Sequence, residues 1–440
     1  MGKGKLPPDQ LLHLLGAKAM NELTFQGPLG PNAPLGEILL AGTAIRIELP
    51  PSLHGLAVDR FEAVRNHVER TDSPLCDRVR IFYPQGSMAI RATIKSRRRS
   101  DGYDIDIVAE LILPPNTPPG VVLDILFEAI NGPLGSKYHG MVERQTRCVT
   151  VYYADGMHLD ITPTLLVDEH DPRRSVLFHA KPEEPPQAHR RLLMNSFAFC
   201  EWFNERTPID LAFVEAYRIK ANALDEARAD ADVVPVPAHS TEVGGKSAAV
   251  VALQLLKRNR NIRYQTRKGL RLPPSVMMAK FSGDAAVPGS SISGALNAII
   301  DVALGTLEWA DREHRIADVR NPRCEDDQFT DRWPENLSAQ KTYIQDLKLF
   351  QGQLAALMSP GLTLSEKQEL LIAMFGEGPG RSVIQDYAAS LGRAVQSGQR
   401  TIERSGRVVP AAGVAASAIL KPSSAQARPH TFYGSSWSRK

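Results

Sequence analysis

The chain has 440 residues, 43% of them hydrophobic and 23% charged, the balance of a globular protein and not of a disordered or fibrous one. Its 52 basic and 49 acidic side chains leave a net charge of only +3, which excludes a general affinity for polyanions and makes every charge argument local. Cys76, Cys148, Cys200 and Cys324 lie far apart with no CxxC pair, so neither a disulfide framework nor a zinc site is expected. The apolar run at 11–15 is interrupted by His13 and falls short of the ~7–15 apolar residues of a secretory signal. No stretch approaches the ~20 residues of a membrane span. The expected location is the cytoplasm, with no membrane partner.

Residues 1–53 read as an irregular lead-in, with Pro and Gly crowded at 27–31. Over 54–70 the apolar positions Leu56, Val58, Phe61, Val64 and Val68 recur at helical spacing. Then the period changes. Residues 79–83 read as a strand, Gln85-Gly86-Ser87 as a turn, 88–94 as a short helix, and 104–111 as an alternating strand. A helix over 120–131 and two strands, 147–153 and 157–162, follow. Asp155-Gly156 between those strands is a strong hairpin signal. Residues 54–185 therefore read as an α+β domain. Residues 186–400 read as a helical lobe, with helices over 191–205, 246–258, 274–285, 292–312, 336–358, 365–375 and 383–395 and an exposed linker over 225–237. Residues 401–440 have the Ala/Ser/Pro-rich composition of a disordered tail.

The segment Asp104-Ile105-Asp106-Ile107-Val108-Ala109-Glu110-Leu111 carries the chemistry. Alternation puts Asp104 and Asp106 on one face and Ile105, Ile107, Ala109 and Leu111 on the other. Two carboxylates ~7 Å apart along a strand repel unless a cation sits between them. Mg²⁺, which prefers oxygen ligands, is the natural remedy. Asp160 occupies the matching polar position between Leu159 and Ile161. Three such aspartates on neighbouring strands can hold two Mg²⁺ about 3.5–4 Å apart, with Mn²⁺ as the alternative ion. Upstream, Gly86 permits close approach of backbone to a ligand, and the helix start offers free N–H groups to phosphates. Glu110 is read as a surface residue of the same strand face.

The order Gly-Ser, Asp-x-Asp, then a third Asp resembles the nucleotidyltransferase superfamily that includes DNA polymerase β. Gln85-Gly86-Ser87-Met88-Ala89-Ile90, Tyr103-Asp104-Ile105-Asp106-Ile107-Val108 and His158-Leu159-Asp160-Ile161-Thr162-Pro163 closely resemble the bacterial CD-NTase family, relatives of cyclic GMP-AMP synthase in anti-phage signalling. Leu253-Gln254-Leu255-Leu256-Lys257-Arg258 resembles that family's phosphate-contacting helix, Pro274-Ser275-Val276 the start of its next substrate-facing helix, and Asn321-Pro322 with Asp331-Arg332-Trp333-Pro334 its late loop. Two features depart from the pattern. Ile90-Arg91-Ala92-Thr93 stands where many members have Gly-Thr, and the arginines at 97–99 lengthen the spacing from Ser87 to Asp104.

The resemblance implies a polymerase-β-like core, a helical second lobe, a cleft between them and the 54–70 helix as a spine. It implies catalytic, metal-holding Asp104, Asp106 and Asp160, and nucleotide contacts from Gln85, Gly86, Ser87, Lys257, Arg258 and Ser275. ATP and GTP would be joined into a cyclic di- or trinucleotide, cyclic GMP-AMP-like by preference. Transfer to an RNA 3′ end or a small molecule, and a non-catalytic nucleotide-binding scaffold, are the alternatives. The Arg91, Lys95 and 97–99 run is read as a solubilising loop, with polyanion grip as its alternative and nucleic acid not required. The stretch 240–247 nearly spells a phosphate-binding loop but lacks its first glycine and a preceding strand, so it reads as loop plus helix start. His158 shares the Asp160 face as a neighbour, not a ligand. Asp168-Glu169-His170-Asp171 reads as a surface turn, and the aromatic tail around 429–434 as a docking segment for a protein partner or as disorder.

Overall fold

The computed structural model describes residues 33–48, 51–94, 103–168, 170–171, 173–211, 213–215, 246–398, 400–402 and 408–410. Outside them lie the lead-in up to residue 32, Lys95 and the arginines at 97–99, the 225–237 linker, positions 240–245 of the phosphate-loop-like stretch, and the tail from 411. The chain divides into two compact units, residues 1–386 and 387–440.

In the first unit a seven-stranded mixed sheet is built from β1 (Val79–Pro84), β2 (Asp104–Leu111), β3 (Val142–Arg144), β4 (Val149–Tyr152), β5 (His158–Leu166), β6 (Ser175–His179) and β7 (Arg190–Met194), with the main path β1-β2-β5-β4-β3. β2 and β5 run parallel in the centre. β5 is shared along its length: its first half pairs with β4 and its second half with β6. Two helices, α1 (Leu35–Ile47) and α2 (Pro51–Val68), precede the sheet. A short α3 (Gly86–Ala89) joins β1 towards β2, and α4 (Pro119–Asn131) joins β2 towards β3. The apolar face of β2, Ile105, Ile107, Ala109 and Leu111, is fully covered by Val64 and Val68 of α2 and Val122, Leu123, Leu126 and Ile130 of α4. This is the alternation of 104–111 turned into a core.

The opposite face of β2 runs from water into the dry interior. Asp104 is exposed and Asp106 partly buried, while Val108 and Glu110 are fully buried. Tyr83, Met194, Phe197 and Leu177 close over the Val108 end. That cover corrects the reading of Glu110 as a surface residue. Its Oε1 takes Arg173 at 3.2 Å and Arg80 at 3.4 Å, a buried charge kept because it is paired. Glu110→Gln keeps the shape and removes the charge, and is expected to cost about 1–2 kcal/mol. The measurement is a urea midpoint, which should fall with an unchanged slope.

The helical lobe holds α5 (Ser196–Arg206), α6 (Ala248–Tyr264), α7 (Ser275–Ala285), α8 (Ile292–Arg312), α9 (Leu337–Met358) and α10 (Leu364–Phe375), with a β8–β9 hairpin (Arg320–Asn321, Cys324–Gln328). α11 (Glu377–Gln396) continues beyond Asp386. In the second unit the described residues include an antiparallel pair, Arg400–Ile402 with Val408–Pro410, which falls within the span expected from 401 to be a disordered tail.

Two further readings change. α1 lies inside the expected irregular lead-in, and its Leu39, Leu40, Ala41, Ala44 and Ile47 are buried. A helix buried on nearly every side has no amphipathic signature to read. Residues 191–194, read as the start of the 191–205 helix, belong instead to edge strand β7 against β6. The helix starts only after Asn195, whose side chain accepts the Ala198 N–H as an N-cap.

Candidate active site

Parallel pairing of β2 with β5 sets Asp106 directly beside Asp160 and Asp104 beside His158. Side chains in register on adjacent parallel strands share a face, with backbones ~4.8 Å apart. The three aspartates therefore meet on one face. β4 pairs antiparallel with β5 on its other side and brings Thr150 opposite Asp160. The Thr150 hydroxyl donates to Asp160 Oδ1 at 2.5 Å, fixing that carboxylate's rotation. Arg60 of α2 grips Asp155 through two 2.9 Å contacts and lies over the Tyr153 ring, so the hairpin that carries Asp160 is tied to the spine helix.

Burial, then the neighbouring Asp160 and Asp104 carboxylates, push Asp106 up to about 7, with Lys257 pulling the other way. Burial, with Arg260 beside it, lowers the Lys257 ammonium well below the ordinary lysine range, and the two aspartates oppose that. Crowded carboxylates of this kind are what a hard cation relieves. The donor set, three aspartate oxygens and no sulfur or nitrogen, fits Mg²⁺. Among the described residues no three His, Cys, Asp or Glu side chains close round a common point as a finished cage. The aspartates share a face, with one Asp160 oxygen turned to Thr150.

Gly86 stands over this face with φ +58°, and a Cβ there would meet Asp106 Oδ2 at 2.5 Å. The turn is thus in contact with the carboxylates, and only glycine fits both the backbone and the gap. The Gln85 N–H donates to the Asp106 carbonyl at 2.9 Å, and Gln85 Nε2 reaches Thr162 Oγ1 at 3.4 Å. The Gly86 backbone hydrogen-bonds the sulfur of Cys200, a thiol that burial pushes up to about 12. The short helix begins at Gly86, earlier than the 88–94 span read from the sequence.

The other expected contacts divide. Lys257 is buried and donates to the Ala92 carbonyl at 2.8 Å, in the electrostatic reach of Asp106. Arg258, one residue on and turned about 100° round the helix, donates instead to the Phe375 carbonyl at 2.9 Å. Ser275 starts α7 and its Oγ accepts from Arg260 at 2.9 Å, which leaves the hydroxyl proton free to point elsewhere. In the late loop, Asp331 is ion-paired with Arg147, and Arg147 Nε donates to His179 Nδ1 at 3.0 Å. Burial and the cations Arg147, Arg190 and Arg332 hold His179 down at about 4, so it is neutral and can accept. Lys246 of the phosphate-loop-like stretch is spent on Glu48, and Asp168 accepts from the His170 backbone and ring as a turn. The four cysteines are free. No described helix is long and apolar enough to cross a membrane.

A mixed sheet with central parallel strands, three carboxylates across them, a Gly-Ser turn above and a helical lobe behind define a polymerase-β-like nucleotidyltransferase. Known proteins agree. CdnG, a cyclic dinucleotide synthase of Bradyrhizobium diazoefficiens, is 41% identical over 409 residues, 92% of this chain and 96% of its own length. The chain belongs to the CD-NTase family. The solved structure of the CD-NTase CdnG from that organism in complex with GTP matches at a TM-score of 0.67 and 39% identity, covering 80% of this chain and 98% of that one. A c-di-GMP synthase of Roseivirga ehrenbergii is 23% identical over 375 residues, 80% of this chain and 85% of its own. No protein-family model matches the chain.

Proposed function

We propose that this nucleotidyltransferase joins GTP and ATP into a cyclic GMP-AMP-like dinucleotide that serves as a signal in anti-phage defence. The observation that carries the reading is the shared register of Asp106 and Asp160 beneath Gly86. Guanine is supported by the GTP complex of CdnG and by the c-di-GMP synthase relative. Asp104, Asp106 and Asp160 are the residues that would hold two Mg²⁺, or Mn²⁺. Bound there, the ions would supply a lowered hydroxyl pKa and neutralise phosphate charge. Thr150 holds Asp160 in one rotamer. The Gly86-Ser87 backbone and the Ser87 and Ser275 hydroxyls donate to the triphosphate. A 2′- or 3′-hydroxyl oxygen bonds to the α-phosphorus, the bond to the β-bridging oxygen breaks, and pyrophosphate leaves with that electron pair. The hydroxyl proton passes to solvent. The linear product then turns over, and the same exchange closes the ring with a second pyrophosphate.

The test is mass spectrometry of products from GTP alone, ATP alone and both, in MgCl₂. The expected result is a phosphatase-resistant cyclic product that requires GTP and has the cyclic GMP-AMP mass when ATP is present. Extension of added RNA with nothing made from triphosphates alone would select the RNA-acceptor reading. Tight binding without pyrophosphate release would select a scaffold.

A further inference from the structure

Beyond α3 the chain passes Ile90 and Arg91, and its next two residues are both held from the helical lobe. Lys257 Nζ donates to the Ala92 carbonyl at 2.8 Å, and Gln254 Nε2 to the Thr93 carbonyl at 3.0 Å. Ile94 makes a backbone bridge to Glu48, whose carboxylate is ion-paired with Lys246 just ahead of α6. Gln254 and Lys257 are three apart and share a face of α6. Both are buried, amid Leu253, Leu255 and Leu256.

These bonds lead back to the cradle. The Ala92 N–H donates to the Ser87 carbonyl at 2.8 Å, and Thr93 Oγ1 donates to Ser87 Oγ at 3.4 Å. Ser87 therefore takes its backbone and hydroxyl orientation from residues that α6 fixes. Gln254 has no second task visible in its surroundings. Among the described residues its Oε1 is buried without a partner, a cost that an apolar residue would avoid, so the side chain serves through the bond it donates.

We infer that Gln254 is a positioning residue: through Thr93 it orients Ser87 and holds the phosphate cradle preformed from the helical lobe. This rests on reading Gly86-Ser87 as a nucleoside triphosphate cradle, and it adds that the cradle is set by α6 and not by its own turn alone.

The experiment compares wild type, Gln254→Met, Thr93→Val and the double variant. Calorimetry in MgCl₂ measures binding of a GTP analogue with a methylene between the α- and β-phosphorus, which cannot react. Gln254→Met should weaken binding about tenfold, and Thr93→Val by a similar factor. The double variant should lose no more than the worse single, since both act through one path. In turnover the KM for GTP should rise about tenfold with kcat within about threefold. A folded Gln254→Met protein with wild-type affinity overturns the inference, even where its melting temperature has dropped. If Gln254→Met does not fold, Thr93→Val decides: unchanged affinity overturns it and weakened affinity upholds it. A wild type that binds the analogue but makes no cyclic product defeats the functional reading, while these affinities still decide the role of Gln254. A wild type with no affinity for the analogue overturns both.

Discussion

Asp106→Asn should lose product formation by about a thousandfold or more, because a carboxylate at the centre of the metal-holding set contributes several kcal/mol to the transition state. The same substitution should make the metal-free protein more stable. Asp106 is held up at about 7, above the ordinary aspartate value, by burial and by Asp160 and Asp104. A carboxyl whose folded pKa is raised binds its proton more tightly in the folded state. Its ionisation therefore penalises folding above about pH 7 and has no effect below about pH 4. A tenfold gain in proton affinity corresponds to about 1.4 kcal/mol, so even part of the rise gives several degrees in melting temperature. In EDTA at pH 8, Asp106→Asn should melt higher than wild type, and the gap should close as the pH falls towards 4. Adding MgCl₂ should raise the wild-type melting temperature and leave the variant nearly unmoved. A variant that is inactive but less stable at pH 8 would mean that Asp106 is a structural residue.

The aspartate face was legible because two simple rules converge on it. Period-two alternation placed Asp104 and Asp106 opposite an apolar set, and the set proved to be the core beneath α2 and α4. The Asp155-Gly156 turn fixed the neighbouring hairpin. Its register was not legible in the same way: a two-residue Asp155-Gly156 turn would set Val151 opposite Asp160, whereas the observed pairs, Thr150 with Asp160 and Tyr152 with His158, are symmetric about Asp155.

What escaped has physical causes too. Glu110 obeys the same alternation as Asp106, but its burial depends on β6, β7 and the Arg173 turn folding over one end of the face, a tertiary event with no local trace. α1 escaped because burial on nearly every side erases periodicity. The cations of α6 face different walls: Lys257 turns to Ala92, Arg258 to Phe375, and Arg260 to Pro273 and Ser275. Helical rotation distributes neighbours in sequence to different walls, so charge density alone could not say which cation faces the aspartates. Gln254 carried no signal because its partner is a backbone carbonyl.

Gly86→Ala separates the needs of the fold from those of the site. The residue sits at φ +58°, where an L side chain costs about 1–2 kcal/mol, and its new Cβ would lie 2.5 Å from Asp106 Oδ2 and 3.1 Å from Asp106 Cγ. The obstructing atom is the free end of a short side chain, so the clash can be relieved by turning the Asp106 carboxylate away from the turn. That movement is inexpensive for stability and disabling for chemistry, since a displacement of about 1 Å at a reacting centre costs about a hundredfold. The expected result is a folded protein, a few degrees less stable, whose rate of pyrophosphate release falls about a hundredfold. Gly86→Ala combined with Asp106→Asn should be no less active than Asp106→Asn alone, because the first change acts by displacing the group that the second removes. Near-normal turnover in Gly86→Ala would show that the Asp106 oxygen is not needed where it stands. A double variant much worse than Asp106→Asn would show that the glycine acts through the triphosphate instead.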